Sequence, residues 1–318
     1  MSDNIKERIS FFKENYEMIS GGPLGQGKKI YIKARIDEDG NKKCKFCGKS
    51  EPDITFSNVS HALPMFLGNR ILIAENECDS CNEMFSNDLE NNFDKYTKPY
   101  RTLAKIKGRK KVPTYRSKNK ETRFENNEKD GFHITTDEVN EAVFLDLKNK
   151  TLTYSFDLEP FVPTAVYKFL IKIALSIMPD VEMRNFASSL SWIMEKNHAI
   201  KLISPQVLLS IFVPGFKPNN NLVMMLLRRK NKIENIPYCY LILAFGNVVY
   251  QIMVPSLLDI NQGKELTLIF SRCPTPFEIE WPLGEVDYRQ EDLSSHEVCL
   301  DGKLSIAFKF ENVSEIPL

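Results

Sequence analysis

The residues of this chain whose types and spacing could do chemistry lie between positions 44 and 82. Two cysteine pairs, Cys44-Lys-Phe-Cys47 and Cys78-Asp-Ser-Cys81, bracket a single histidine in Ser60-His61-Ala62-Leu63-Pro64, and Asn82 directly follows the last cysteine. Such pairs offer four thiolates, and a soft tetrahedral set of four sulfurs selects zinc or, less readily, an iron–sulfur centre. Four protein ligands leave no open coordination position. A zinc held there is structural and clamps two segments that enclose too little apolar surface to fold unaided. Phe46 and Gly48 give the first pair the form of a tight knuckle, which favours one shared ion over two unrelated pairs.

The elements that must position these residues follow from periodicity. Residues 53–61 have strand character ending at His61, residues 64–69 read as a loop and residues 71–74 as a second strand. The second knuckle then opens a helix over residues 82–96, with Met84 or Phe85, Leu89 and Phe93 as its buried stripe. Strand, strand and helix around a zinc make a ββα unit. Ahead of it, Ile5, Ile9, Phe12, Tyr16 and Ile19 recur at helical spacing and predict an amphipathic helix that Gly21-Gly22-Pro23 ends. Residues 22–29 nearly match a phosphate-binding GxxxxGK[ST] loop. Lys29 stands where a hydroxyl is required, however, and an alternating strand over residues 30–36 follows where a helix should begin, so that reading is rejected.

The chain has 318 residues, with 42 Lys and Arg against 42 Asp and Glu, so any surface for nucleic acid must come from local charge. Residues 98–123 supply it, with a single acid, Glu121. The candidate phosphate contacts are Arg101, Lys105, Lys107, Arg109, Lys110, Lys111 and Arg116, interleaved with Tyr96, Tyr100 and Tyr115, reading charge rather than base sequence. Residues 98–135 thus form a basic segment and linker, its polar part at 119–130. The first residues have no apolar signal core, and no stretch approaches the roughly 18 to 20 apolar residues that cross a bilayer. The expectation is a cytoplasmic protein without membrane attachment. Cys239, Cys273 and Cys299 are scattered and read as ordinary buried thiols in a reducing compartment, and His133, His198 and His296 lack a companion pattern.

Residues 1–97 accordingly form a first domain and residues 136–318 a second. In the second, residues 142–145 and 152–156 pair as strands around Lys148-Asn149-Lys150. A helix carrying Val166, Phe169, Leu170, Ile173 and Ile177 stops at Pro179, and Asp180 can cap a second helix with Phe186, Leu190 and Ile193. Strand-like runs come after it at 207–213, 222–227, 238–245, 248–254 and 266–270, with Gly246-Asn247 as a tight hairpin turn. A helical hairpin followed by an antiparallel sheet is an α+β architecture, suited to recognition, sensing or oligomerisation. Trp192 belongs to its core rather than to a dimer face.

The succession CxxC, then xHxxP with a Leu-Gly loop, then CxxCN-x-x-F resembles the four-cysteine, zinc-stabilised branch of the HNH, or ββα-metal, endonucleases. Around the motif it is similar to recombination endonuclease VII in particular. The resemblance covers residues 40–96, and the run from Tyr100 to Pro113 is similar to the segment after the motif in bacterial HNH proteins of similar length. It implies a DNA phosphodiester hydrolase with a structural Zn²⁺ and a catalytic Mg²⁺ or Mn²⁺. His61 would be the general base towards water, and Asn82 would help hold the catalytic ion through its side-chain oxygen. One departure stands out: many members carry an acidic ligand immediately before the histidine, where this chain has Ser60, a poorer ligand for a hard cation. Ser86 shares a helix face with Asn82 but is again only a hydroxyl, and Glu90 would lie about 12 Å further along a regular helix.

By association such proteins resemble bacterial restriction or antiphage effectors, acting on DNA alone, as a homodimer, or with an activating partner or signal through the second domain. The competing expectation is a non-catalytic zinc module that binds nucleic acid or docks a protein. In that case Ser60 marks lost chemistry.

Overall fold

A computed structural model describes residues 4–127, 131–136, 142–215, 218–230, 235–259, 268–279, 281–283 and 285–310. The chain opens with α1 (Ile5–Asn15), capped by the Asn4 side chain on the Lys6 amide, and passes directly into β1 (Tyr16–Leu24). Short strands β2 (Ile30–Ile32), β3 (Arg35–Ile36) and β4 (Lys42–Lys43) lead to the first cysteine pair. After β5 (Leu72–Ala74), α2 (Asp79–Phe85) continues through a π-helical turn, Ser86–Glu90, into α3 (Asn91–Leu103). Strands β6 (Tyr115–Arg116), β7 (Thr122–Asn127), β8 (Gly131–Thr136), β9 (Val143–Asp146) and β10 (Thr151–Asp157) succeed it. Helices α4 (Pro163–Ile177) and α5 (Ala187–Met194) come next. The remainder is β11 (Val207–Phe212), β12 (Asn219–Arg229), β13 (Cys239–Gly246), β14 (Val248–Met253), β15 (Asp287–Asp292) and β16 (Lys303–Lys309). The protein is α+β, and no helix among the described residues is long and apolar enough to cross a membrane.

The main sheet has six strands in the order β1-β12-β13-β14-β11-β15, antiparallel throughout. Its first strand corrects the expectation for the leading segment. The helix ends at Asn15, and Gly21-Gly22-Pro23 lie inside β1. A Cβ on Gly21 would come within 2.2 Å of the Met224 carbonyl oxygen, so glycine is what lets the two backbones approach. Pro23 is tolerated because β1 is an edge strand. Phe12 and Tyr16 pack on Tyr240 of β13, with ring centroids 6.0 and 5.3 Å away, so the leading helix docks on the sheet of the second half rather than accompanying the zinc unit.

Residues 98–135 are structured where a linker was expected. Helix α3 runs to Leu103, and β6, β7 and β8 form a three-stranded sheet. Phe124 of that sheet is fully buried against Tyr115 and Phe156, which a solvated linker would not provide. Residues 128–130 of the polar stretch lie outside the described residues. The strand pair β9–β10 forms as expected, with β16 added on its other side. Of the strand read at 266–270, residues 268–270 are not extended in a ladder and 266–267 lie outside the described residues.

Helix α4 is buried on every side from Thr164 to Ile177, not along one face. It contacts the π-helical turn, α3, α5 and β13, so it sits between the zinc unit and the sheet. Phe93 of α3 meets Phe169 of α4 at 5.2 Å, and Tyr96 and Tyr100 pack on Tyr250 of β14. One continuous apolar core therefore runs from the cysteines to the sheet. Asp180 does not cap α5, which comes after a 3₁₀ turn, Met183–Phe186; it pairs with Arg35 at 2.7 Å and Lys45 at 3.5 Å in the zinc region. Trp192 is buried, its indole N–H bonded to the Ile200 carbonyl.

Candidate functional site

The four cysteines converge, all sulfurs lying within 4.8 Å of one another. Cys44 and Cys81 sulfurs are 3.9 Å apart, and Cys47 and Cys78 sulfurs 3.8 Å. Thiolates bound tetrahedrally at about 2.3 Å from a zinc would stand about 3.8 Å apart, so the cluster is compatible with structural zinc. The first knuckle is closed by Cys44 N–H to the Lys49 carbonyl at 2.8 Å and Gly48 N–H to the Cys44 carbonyl at 3.0 Å. The second knuckle is the start of α2, with Cys78 as the residue before its first turn. Phe46 packs edge-on against Phe85 at 4.9 Å, so the knuckle and the helix share apolar contact beside the sulfurs.

His61 stands between them. Residues 53–59 form no regular strand; the strand character reduces to a single bridge between His61 and Ile73, with the Ala74 N–H bonded to the Ser60 carbonyl at 2.8 Å. Strand β5, which His61 thereby joins, pairs in parallel with β2. Asp79, in the first turn of α2, accepts from the Thr55 hydroxyl, from Ser57 N–H at 3.0 Å and from Asn58 N–H at 2.8 Å. One carboxylate thus ties the loop leading to His61 to the helix carrying the second cysteine pair. The half-buried imidazole is held below the usual histidine range by burial first and then by Arg70, Lys29 and Lys172, against a backbone hydrogen bond at Val59. It is uncharged near neutral pH, as a proton acceptor must be.

Asn69 is a site residue that pattern reading passed over as loop. It is buried, its amide N–H groups reaching the Leu63 and Leu72 carbonyls at 2.8 and 3.0 Å. Its carbonyl oxygen accepts from Ile71 and Leu72 N–H at 3.2 and 3.0 Å. These four bonds latch the loop between His61 and β5. The available signal was an asparagine beside Gly68 in a segment that must turn.

Asn82 lies within α2, its N–H bonded to the Cys78 carbonyl at 2.9 Å, so it does not cap the helix and its side chain is available for another role. Ser60 is buried with its hydroxyl unpartnered, and it lines a 190 Å³ cavity together with Glu77, one of whose carboxylate oxygens is also unpartnered. The other Glu77 oxygen binds Lys172 of α4 at 2.8 Å, an ion pair almost wholly out of water. In kind, the oxygen donors Ser60 and Asn82 suit a hard cation. Among the described residues the cysteine cluster is the only convergence of three or more His, Cys, Asp or Glu ligands, so a second ion would rest mainly on water and substrate. Burial raises the Glu90 carboxyl, and the π-helical turn separates it from the register of Asn82.

The basic segment is redistributed by the fold. Arg101 is buried, paired with Asp94 at 2.6 Å and stacked on Phe66 at 4.5 Å, so it faces the core rather than a ligand. Tyr96, Tyr100 and Tyr115 are buried too and offer no stacking face to bases. Lys98, Lys118 and Arg123 pair with Glu159, Asp301 and Glu125. Lys107, Arg109, Lys110, Lys111 and Arg116 are exposed and Lys105 is half-buried. Two cations from elsewhere, Lys29 and Arg70, stand closer to His61 in effect than any of these.

Residues 44–97 match the family model described as HNH endonuclease. The matched description is the general one, so the finer likeness to recombination endonuclease VII rests on the sequence motif alone. No curated protein and no solved structure matches the chain.

Proposed function

We propose that this chain is a metal-dependent endonuclease that hydrolyses DNA phosphodiester bonds with His61 as general base. The observation that carries the reading is the uncharged, half-buried imidazole on the segment bridged to β5, tied through Asp79 to the helix that leaves the cysteine cluster, within the stretch similar to HNH endonucleases. His61 takes a proton from the attacking water, its orientation supported by the backbone bond at Val59. Asn82 and Ser60 would offer oxygen atoms to Mg²⁺ or Mn²⁺, which would supply charge stabilisation to the phosphate and leaving oxygen. Asn69 holds the loop that keeps His61 in place, and a zinc held by Cys44, Cys47, Cys78 and Cys81 would clamp the two chain segments that flank it. The products would carry 5′-phosphate and 3′-hydroxyl ends. One such site cuts one strand, so a double-strand break needs two copies or two successive nicks.

Ser60 in place of an acid supports a second reading, a zinc module that binds nucleic acid without cutting it. Both are tested by incubating wild type and His61→Ala with supercoiled plasmid in Mg²⁺, in Mn²⁺ and with EDTA. Metal-dependent nicking by wild type alone supports the endonuclease. Equal DNA binding with no cleavage by either supports the second reading.

A further inference from the structure

Beside the zinc unit lies a cleft of 550 Å³ whose walls come from four separate parts of the chain: the loop after β1, the loop before β5, the turn that ends α3, and the strand ends of the main sheet. Among the described residues four cations line it, Lys29, Arg70, Lys105 and Lys107, and no acid does. Arg70 is held in place by backbone carbonyls alone: Met65 at 2.9 Å, Asn69 at 3.1 Å, Lys107 at 2.9 Å, and Gly108. These bonds fix the guanidinium plane without neutralising it. Among the described residues neither Arg70, Lys29 nor Lys107 has a carboxylate at ion-pair distance, whereas Lys98, Arg101, Lys118 and Arg123 all do. Three exposed cations without a carboxylate, one of them fixed in place, are arranged for an anion that is not part of the protein.

The cleft adjoins the cavity beside the candidate active site through Lys29. Lys29 lines both it and the small cavity that Ser60 and Ile73 wall, and Ile73 is the residue His61 bridges. The sheet completes it from the far side. Gly246, at the turn between β13 and β14, approaches the end of α3 so closely that a Cβ would fall 2.4 Å from the Ala104 side chain, which seats the 105–107 turn against the sheet. Asn219, Asn220 and Asn221 of β12 add polar side chains beside the cations. A volume in the range of roughly 300–1,000 Å³ typical of ligand sites is too large for one phosphate and suits several linked ones.

We propose that this cleft seats consecutive phosphates of the DNA strand whose neighbouring phosphate lies at His61, so that the main sheet and the zinc unit grip the same strand. The proposal rests on the nuclease reading for its substrate, and its chemistry, phosphate oxygens on Arg and Lys, is shared with small polyphosphates.

The test uses the full chain with His61→Ala, so that DNA is not consumed. Affinity for a short fluorescent duplex is measured against KCl concentration, for this protein and for the same protein carrying Lys29→Gln and Lys107→Gln. Lys13→Gln with Lys196→Gln, two exposed lysines away from the cleft, controls for net charge. Each phosphate contact contributes about 0.9 to the slope of log affinity against log salt, so losing two should reduce that slope by about 1.8 while the control leaves it unchanged. Arg70→Lys, which keeps the charge but loses the fork, should weaken binding with the slope preserved. Equal slopes for the cleft and control variants would overturn the proposal. So would saturable one-to-one binding of tripolyphosphate that the cleft variants abolish while duplex binding stays intact, since that makes the cleft a small-anion site. Absence of cleavage by wild type with the expected slope change would sink the nuclease reading and leave the strand-binding cleft standing.

Discussion

The proposed role of His61 as a base rests on what surrounds it rather than on its being histidine. Burial disfavours the imidazolium, and the Arg70, Lys29 and Lys172 charges push the same way, so the ring loses its proton below the ordinary value of 6.5. In the proposed reaction the neutral form is the active one, so the rate should be flat through neutrality and fall only as pH drops through that lowered value. A profile of cleavage rate against pH is expected to place the acid limb below pH 6.5, and Lys29→Gln should move it upward by removing one of the repelling charges. A limb above 6.5 in wild type would mean that another group limits the reaction. Asn69 and Asp79 show a different kind of dependence: neither need touch substrate, yet between them their side chains make seven hydrogen bonds that hold the loops on either side of His61.

At the scale of elements, α4 joins the two halves. It is a helix buried all round, and such a helix must satisfy any charge it carries. Lys172 does so against Glu77, the residue before Cys78, and its ammonium also lies 5.6 Å from the Phe46 and Phe85 ring centres. Removing one member of a buried pair leaves the other uncompensated, so Lys172→Met should cost about 3–5 kcal/mol. The double variant Glu77→Gln with Lys172→Met should recover much of that loss. Denaturant unfolding of wild type, Lys172→Met, Glu77→Gln and the double variant measures it, and additive losses would show that the pair is not coupled. The leading helix and β1 make the converse point. They stand first in the chain but complete the sheet of the second half, because β1 covers what would otherwise be the exposed edge of β12.

At the scale of the molecule, the cysteine cluster and the main sheet belong to one apolar core. Stability should therefore be shared. Trp192 and Trp281 both lie outside the zinc unit, so tryptophan fluorescence reports on the second half alone. Chelating zinc is expected to lower the melting midpoint seen by that fluorescence, because losing the clamp loosens helices α2 and α3 that pack on α4 and on Tyr250. An unchanged tryptophan melt with loss of the bound metal would show that the two halves unfold independently. The same continuity builds the basic cleft, which forms where the α3 turn, the loop before β5 and the sheet meet.

What the sequence determined by itself was whatever depends on close spacing. The two CxxC pairs, the helix with Phe85, Leu89 and Phe93 on one side, the Gly246-Asn247 hairpin and the paired helices were all legible, because each needs only neighbours within one or two turns of chain. Tertiary structure alone decided which charges are free. Arg101 and Arg70 are the same residue type, yet one is folded under Phe66 and Asp94 and the other is held outward by backbone carbonyls. It also decided that Gly21-Gly22-Pro23 is a sheet edge and not a helix stop, and that the polar segment after Lys118 contributes a strand. The sheet edge depends on β12, far along the chain, and the placing of Arg70 on the path of a whole loop, and local periodicity carries no information about either.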